Sequence, residues 1–168
     1  PEGTVVAAEE QIQGRGRLGR SWISPSGKGI WMSVILRPQL SPEKAPSVTV
    51  MTAVALVRAL KRAAKLEAGI KWPNDIVCSG KKLCGILTEI HAEPDVISYV
   101  VVGIGINVNL SAEDFPEDVR NTATSVKMEK DRELNRRDII QAVLEEMENI
   151  YLNSFSDDNF EQLLEEYR

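Results

Sequence analysis

Cysteine and histidine are scarce in this sequence: two cysteines, Cys78 and Cys84, and one histidine, His91, stand among 168 residues. Two isolated cysteines cannot build a disulfide framework, and a reducing cytoplasm suits them. One histidine without partners makes neither a zinc cluster nor a catalytic triad, so a surface or strand-end place is expected for it. Cys84 has no neighbouring base motif; it is expected to pack as a small apolar residue, not to act as a thiolate. Aromatic residues are few, three each of Trp, Tyr and Phe. That argues against a sheet face that stacks nucleic-acid bases. No apolar run approaches the roughly 18 residues of a spanning helix. No signal-peptide pattern opens the sequence, and neither an internal repeat nor a low-complexity segment is visible.

What is present suits one compact soluble domain over residues 1–168, with 43% apolar and 27% charged side chains and enough length to bury a sizeable core. The net charge of −5 is unevenly spread. Between Gln11 and Lys28 stand four basic residues (Arg15, Arg17, Arg20, Lys28) and no acid, whereas residues 129–168 hold twelve acids against five bases. An acidic chain that gathers cations in one glycine-rich segment reads as having a local anion site, and no nucleic-acid partner is expected.

The pattern predicts strands at Thr4–Glu9 and Ile30–Arg37, then a helix over Val48–Leu66 stopped by Gly69. Three further strands follow in quick succession: Ile70–Trp72 leading into Asp75–Cys78, then Lys82–His91, then Val96–Val108. Their short connections, Ser79-Gly80 among them, imply antiparallel pairing. Asn135 is a good N-cap for a helix over Ile139–Ser154, and Ser156 for a last one through Tyr167. Strands in a meander with few helices make the fold class α+β, a mixed, mainly antiparallel sheet packed against helices.

Four segments carry chemistry. Gly14-Arg15-Gly16-Arg17-Leu18-Gly19 matches the dinucleotide fingerprint literally. However, the next residues, Ser21-Trp22-Ile23-Ser24-Pro25, do not start a helix, and the first acid downstream is Glu43, so that assignment fails. Ser26-Gly27-Lys28-Gly29 lacks the upstream glycine and following Ser/Thr of a phosphate-binding Walker loop. The physics still points to an anion: guanidinium forks bind phosphate or carboxylate bidentately, and glycine lets backbone N–H groups come close. The competing readings are a solvated turn and an RNA-binding arginine-glycine segment, and the latter normally repeats. Lys71-Trp72-Pro73-Asn74-Asp75 is a proline-stiffened turn presenting polar groups; by local physics alone it is an ordinary turn. Lys81-Lys82 opens a strand, and an inward-pointing lysine there would neutralise a phosphate or carboxylate. Gly103-Ile104-Gly105-Ile106-Asn107 is compatible equally with a strand bend and with a ligand lying on the backbone.

Taken together, these segments resemble the signatures of the biotin protein ligases, the biotin–[acetyl-CoA-carboxylase] ligases. Gly14 to Trp22 resembles the glycine-arginine loop and Lys71 to Asp75 the second signature. Lys82-Leu83-Cys84-Gly85-Ile86-Leu87 and Val102 to Asn107 match the third and fourth, in the same order and spacing. The likeness is detailed to about Ser125 and looser to Arg168. It implies ATP-dependent formation of biotinyl-5′-AMP, with Mg²⁺, and transfer of biotin to a lysine of a biotin carboxyl carrier protein domain.

By the same resemblance, Gln11 would hydrogen-bond biotin or its adenylate. Arg15 and Arg17 would hold phosphate and carboxylate, with Gly16 giving backbone approach, and Trp22 would order the loop near the nucleotide. Lys71, Asn74 and Asp75 would line the reaction centre, with Asp75 steering the incoming amine. Lys82 would contact the biotin carboxylate or adenylate phosphate, and Gly103, Gly105 and Asn107 would border the pockets. A metal-ligand set is not implied. The Ser-Thr-Asn segment of the family, its winged helix and its C-terminal β-barrel do not appear among these residues, so the expectation is a catalytic core without those parts. A weak homodimer through sheet edges is expected. The nearest rival is a lipoate ligase or acyl transferase of the same fold; a nucleic-acid-binding module is the rival from another class.

Overall fold

The computed structural model describes the backbone of residues 1–154 and 157–167 and the side chains outside 154–160 and 168. Six strands form one sheet: β1 (Val5–Ala8), β2 (Gly29–Leu36), β3 (Gly69–Lys71), β4 (Asp75–Cys78), β5 (Lys81–Ala92) and β6 (Ile97–Asn107). The helices are α1 (Pro46–Ala64), the short α2 (Glu117–Arg120) and α3 (Val126–Lys130), then α4 (Arg136–Ser154) and α5 (Asp157–Tyr167). The strand order is β1-β2-β6-β5-β4-β3, and every pairing of these strands is antiparallel. The mixed character of the sheet reduces to one isolated parallel bridge, Lys82 to Ala123.

Alternation decides the two faces of the sheet. Even-numbered residues of β2, β5 and β6 (Met32, Val34, Ile86, Val102, Ile104, Ile106) are buried in one core with Val48, Met51 and Leu56 of α1 and Val143 and Met147 of α4. A strand places i and i+2 on one face, so the odd-numbered residues between them face the other way, away from the helices; Leu83 and Ile97, beside register shifts, instead join the core. Thr49 of α1 and Thr88 of β5 exchange a 2.8 Å hydroxyl contact at the same layer. The β4–β5 hairpin turns on two residues, Ser79 (φ 50°) and Gly80 (φ 76°), the double positive-φ geometry whose twist matches the strands.

Three helix ends differ from expectation. α1 begins at Pro46 and stops at Ala64, where Lys65 adopts the left-handed conformation (φ 51°, ψ 39°) and its N–H bonds Leu60 O. Gly69 is thus not the stop; it opens β3. α4 starts at Arg136, where Asn135 Oδ1 accepts from Arg137 N at 3.0 Å, as its capping chemistry predicts. The expected cap at Ser156 lies outside the described residues.

Candidate active site

One row of directly paired residues crosses the whole sheet on the face away from α1 and α4: Ala8, Trp31, Gly105, Gly85, Asp75 and Lys71. Direct cross-strand partners share a face, so two adjacent glycines leave a bare floor flanked by an indole on one side and by Asp75 and Lys71 on the other. What lies on that floor is Trp22. A Cβ at Gly105 would fall 2.5 Å from Trp22 Nε1, and one at Gly85 would fall 3.0 Å from its Cζ3. These strand glycines are therefore places of close approach and not of bending. Trp22 meets Trp31 edge to face, with ring centroids 6.5 Å apart. Both belong to an apolar cluster with Leu110, Phe115 and Ala123, separate from the main core. Trp22 Nε1 is buried without a hydrogen-bond partner; such a donor costs about 1–3 kcal/mol unless something accepts from it.

Charge gathers beside the floor. Lys82 Nζ stands 2.7 Å from Asp75 Oδ1, in an ion pair without aligned hydrogen-bond geometry, and 5.2 Å from the centre of the Trp22 ring. Backbone bonds from Lys82 N to Thr122 O and from Thr124 N to Lys82 O hold this lysine in place. At the residue before Asp75, Arg17 Nη1 donates to Asn74 Oδ1 at 2.9 Å. Asn74 is itself clipped twice to Ile86: its Nδ2 donates to Ile86 O at 2.9 Å, and Ile86 N donates to Asn74 O at 2.9 Å. The Trp72-Pro73 peptide preceding it is cis.

The glycine-arginine loop is an ordered hairpin. Trp22 N donates to Gly14 O at 2.8 Å and Gly16 N to Arg20 O at 2.7 Å, around a tight turn at Leu18 (φ 57°) and Gly19 (φ 73°). Gly14 is required because a Cβ there would meet Trp22 O at 2.3 Å. Gln11 Oε1 accepts from Ser24 Oγ at 2.8 Å, which places Gln11 at the loop's root. The loop has no acid of its own, but the sheet brings one: Glu89 Oε1 lies 3.7 Å from Arg15 Nη2, both side chains being exposed.

The structure thus brings together Arg17, Asn74, Asp75, Lys82, Trp22 and Gly105, with Gln11, Arg15 and Gly16 on the adjoining loop. Gly103 lies one row further along β6, against Leu87 O. Lys71 is exposed on the edge strand and makes no ion pair among the described residues. Asn107 is buried, its Nδ2 donating to Thr124 O at 3.0 Å, so its amide ties β6 to the segment before α3. Cys84 is fully buried, and burial pushes its thiol pKa up, as a packing role requires. His91 is exposed on β5, stacked on Tyr99 at 5.0 Å. Among the described residues no group of three or more His, Cys, Asp or Glu is arranged to hold a metal, and no helix is long and apolar enough to cross a membrane. Sequence reasoning passed over Gly85, Trp31, Ser24 and Glu89 as site neighbours. The alternation of β2 and β5 held a signal for Gly85 and Trp31; only the register brings Glu89 to Arg15.

Known proteins resemble this chain in sequence and fold. The bifunctional ligase/repressor BirA of Bacillus spizizenii is 48% identical over 144 residues, which take in 86% of this chain and 44% of that protein. A biotin–[acetyl-CoA-carboxylase] ligase of Mycobacterium tuberculosis is 39% identical over 132 residues, 74% of this chain and 45% of that protein. The chain therefore spans under half the length of these two relatives. Among solved structures, the biotin protein ligase of Aquifex aeolicus in complex with biotin and ATP superposes with a TM-score of 0.84 at 28% identity, over 99% of this chain and 68% of that one. Residues 1–107, well over half of the chain, match the biotin/lipoate A/B protein ligase family, and this protein belongs to that family.

Proposed function

We propose that this chain is the adenylate-forming core of an ATP-dependent biotin protein ligase. The observation that carries the reading is the closure of the glycine-arginine loop: Arg17 bonds Asn74 at 2.9 Å beside a glycine floor that admits a flat group, with Lys82 at its edge. The relatives support it; one solved neighbour carries biotin and ATP.

A carboxylate is a poor electrophile. In the first step an oxygen of the biotin carboxylate attacks the α-phosphorus of ATP, the bond to the β-phosphate oxygen breaks, and pyrophosphate leaves. Two anions must approach, so Arg15, Arg17, Lys71 and Lys82 offset their repulsion. Mg²⁺ bound with the nucleotide would add positive charge beside the phosphates, and Asp75 is the carboxylate that would help hold it. In the second step a carrier lysine amine attacks the carbonyl carbon, the bond to phosphate breaks, AMP leaves and the nitrogen loses a proton, with Asp75 steering the amine. Gln11, Gly16 and Trp22 hold the adenylate, Asn74 docks Arg17, and Gly103, Gly105 and Asn107 shape the pockets. An ordered loop also keeps water from the anhydride.

The protein partner is a biotin carboxyl carrier protein domain, and the compartment the cytoplasm. The sheet ends at β1, whose four residues are all exposed, and at β3. Such edges pair, and a weak homodimer strengthened by the adenylate follows; sedimentation that finds only monomer at high concentration with biotinyl-AMP bound removes it.

The test of the function is mass spectrometry of the full-length protein incubated with ATP, Mg²⁺ and biotin or lipoate. Biotinyl-AMP is expected, followed by a biotinylated carrier when the carrier domain is added. Lipoyl-AMP formed in preference, or no adenylate at all, overturns the reading.

A further inference from the structure

The turn that presents Asn74 is held by a residue from the opposite end of the chain. Tyr167, in the last turn of α5, donates from its Oη to Pro73 O at 2.7 Å, while its ring packs against the main core. α5 is itself anchored. Leu163 is 3% exposed within that core, and Arg58 of α1 grips Glu166 with Nε at 2.9 Å and Nη2 at 2.5 Å. Burial pushes the Tyr167 phenol up, with the nearby Arg17 guanidinium pulling the other way, so the hydroxyl keeps its proton and remains a donor at neutral pH.

A continuous series of contacts results: α1 holds α5, α5 holds Pro73 through Tyr167, Pro73 precedes Asn74, and Asn74 receives Arg17. The Ile86 bonds grip Asn74 from one side only; the hydroxyl of Tyr167 holds the carbonyl one residue before it. We propose that Tyr167 is a positioning residue of this site: by fixing the Pro73 carbonyl it sets where Asn74 Oδ1 stands, and so how firmly the Gly14–Arg20 loop stays closed. In this role Tyr167 acts through the Pro73 carbonyl and Asn74 on Arg17, whose guanidinium also stands near its phenol. Its relevance to catalysis rests on the function proposed above, but its effect on the loop does not.

The test is Tyr167→Phe in the full-length protein, which removes the hydroxyl and keeps the ring. Hydrogen exchange of peptides covering residues 14–22, measured without ligand, should rise roughly two- to tenfold, the worth of one ordinary hydrogen bond. Peptides from α1 and β6 should stay unchanged. In an Arg17→Gly background the same substitution should add nothing, because the contact through which it acts is already lost. With biotin and ATP, release of biotinyl-AMP should quicken by the same factor. Unchanged loop exchange in a folded Tyr167→Phe protein overturns the proposal, as does an equal increase in both backgrounds or one spread over the whole chain. Should Tyr167→Phe not accumulate as folded protein, Glu166→Gln, which loosens α5 from α1 at an exposed ion pair, takes its place, with the increase expected in α5 and in the loop and not in β6. If no adenylate forms but the loop still responds, the proposed function fails and this inference stands.

Discussion

Arg17 is exposed, and its one side-chain hydrogen bond among the described residues reaches across 57 positions of sequence to Asn74. No core contact depends on it, so Arg17→Gly should leave the fold intact. Charged hydrogen bonds contribute about 1.5–3 kcal/mol each, so release of biotinyl-AMP should accelerate roughly ten- to a hundredfold. Arg17→Lys should recover only part of the retention, since an ammonium lacks the planar fork. Stopped-flow dissociation decides this, and an unchanged rate in the folded variant takes Arg17 out of the site. Gly105 tests the floor. An added methyl would sit 2.5 Å from Trp22 Nε1, so Gly105→Ala must lift the indole or fail to admit a ligand. Overpacking costs about 1–3 kcal/mol; biotin affinity should fall by roughly tenfold or more in calorimetry, with a red-shifted tryptophan emission in the free protein. Unaltered emission and affinity would mean that nothing rests on that glycine.

The β4–β5 hairpin is the element that sets Asp75 against Lys82, which approach to 2.7 Å from its two strands. Its turn residue Gly80 has φ +76° and open space around it, so a substitution there is opposed by backbone conformation alone. Gly80→Ala should destabilise the protein by about 1–2 kcal/mol, the penalty of a left-handed L-residue, and lower the midpoint in urea while adenylate formation per folded molecule stays the same. A loss of activity larger than the loss of folded protein would mean that the turn also tunes the ion pair. The long elements were legible in the sequence, because alternation and helical spacing persist over eight or more residues in β2, α1, β5, β6 and α4. α2 and α3 were not: with four and five residues, they are too short to show a period and hold their shape through local bonds, such as Ser125 Oγ accepting from Met128 N at 3.1 Å.

At the scale of the molecule, two carboxylates join segments distant in sequence. Glu129 on α3 accepts from Thr124 Oγ1 at 2.6 Å and from Ser79 Oγ of the hairpin turn at 2.8 Å, and these bonds, the Thr124 one above all, hold its pKa down. Glu2 is held down by its hydrogen bond from Tyr151 of α4 and by the Arg37 N–H. A folded pKa below the unfolded one means that the unfolded chain binds more protons in acid. The stability these groups contribute is complete above the ordinary carboxylate pKa of about 4 and is lost as pH falls through their lower folded values. Urea midpoints should therefore drop steeply below about pH 4, and Glu129→Gln should flatten part of that slope. An identical slope in the variant would show that the acid sensitivity resides elsewhere.

The sequence alone determined the strands and long helices, the cation-rich glycine-arginine loop, the stiff turn at Pro73 and the suspicion of close approach at Gly105, since each follows from chemistry within a few residues. Tertiary structure decided what meets what. β6 inserts between β2 and β5, and only that order aligns Trp31, Gly105, Gly85 and Asp75 in one row. Trp22 lies on the glycine floor, Glu89 reaches Arg15, and Tyr167 reaches Pro73 across 94 positions. Contacts of this kind depend on register and on how helices seat against the sheet, and a one-residue slip in register turns every side chain of a strand to its other face. A local pattern carries no trace of such a choice, because it is made by the packing of the whole core.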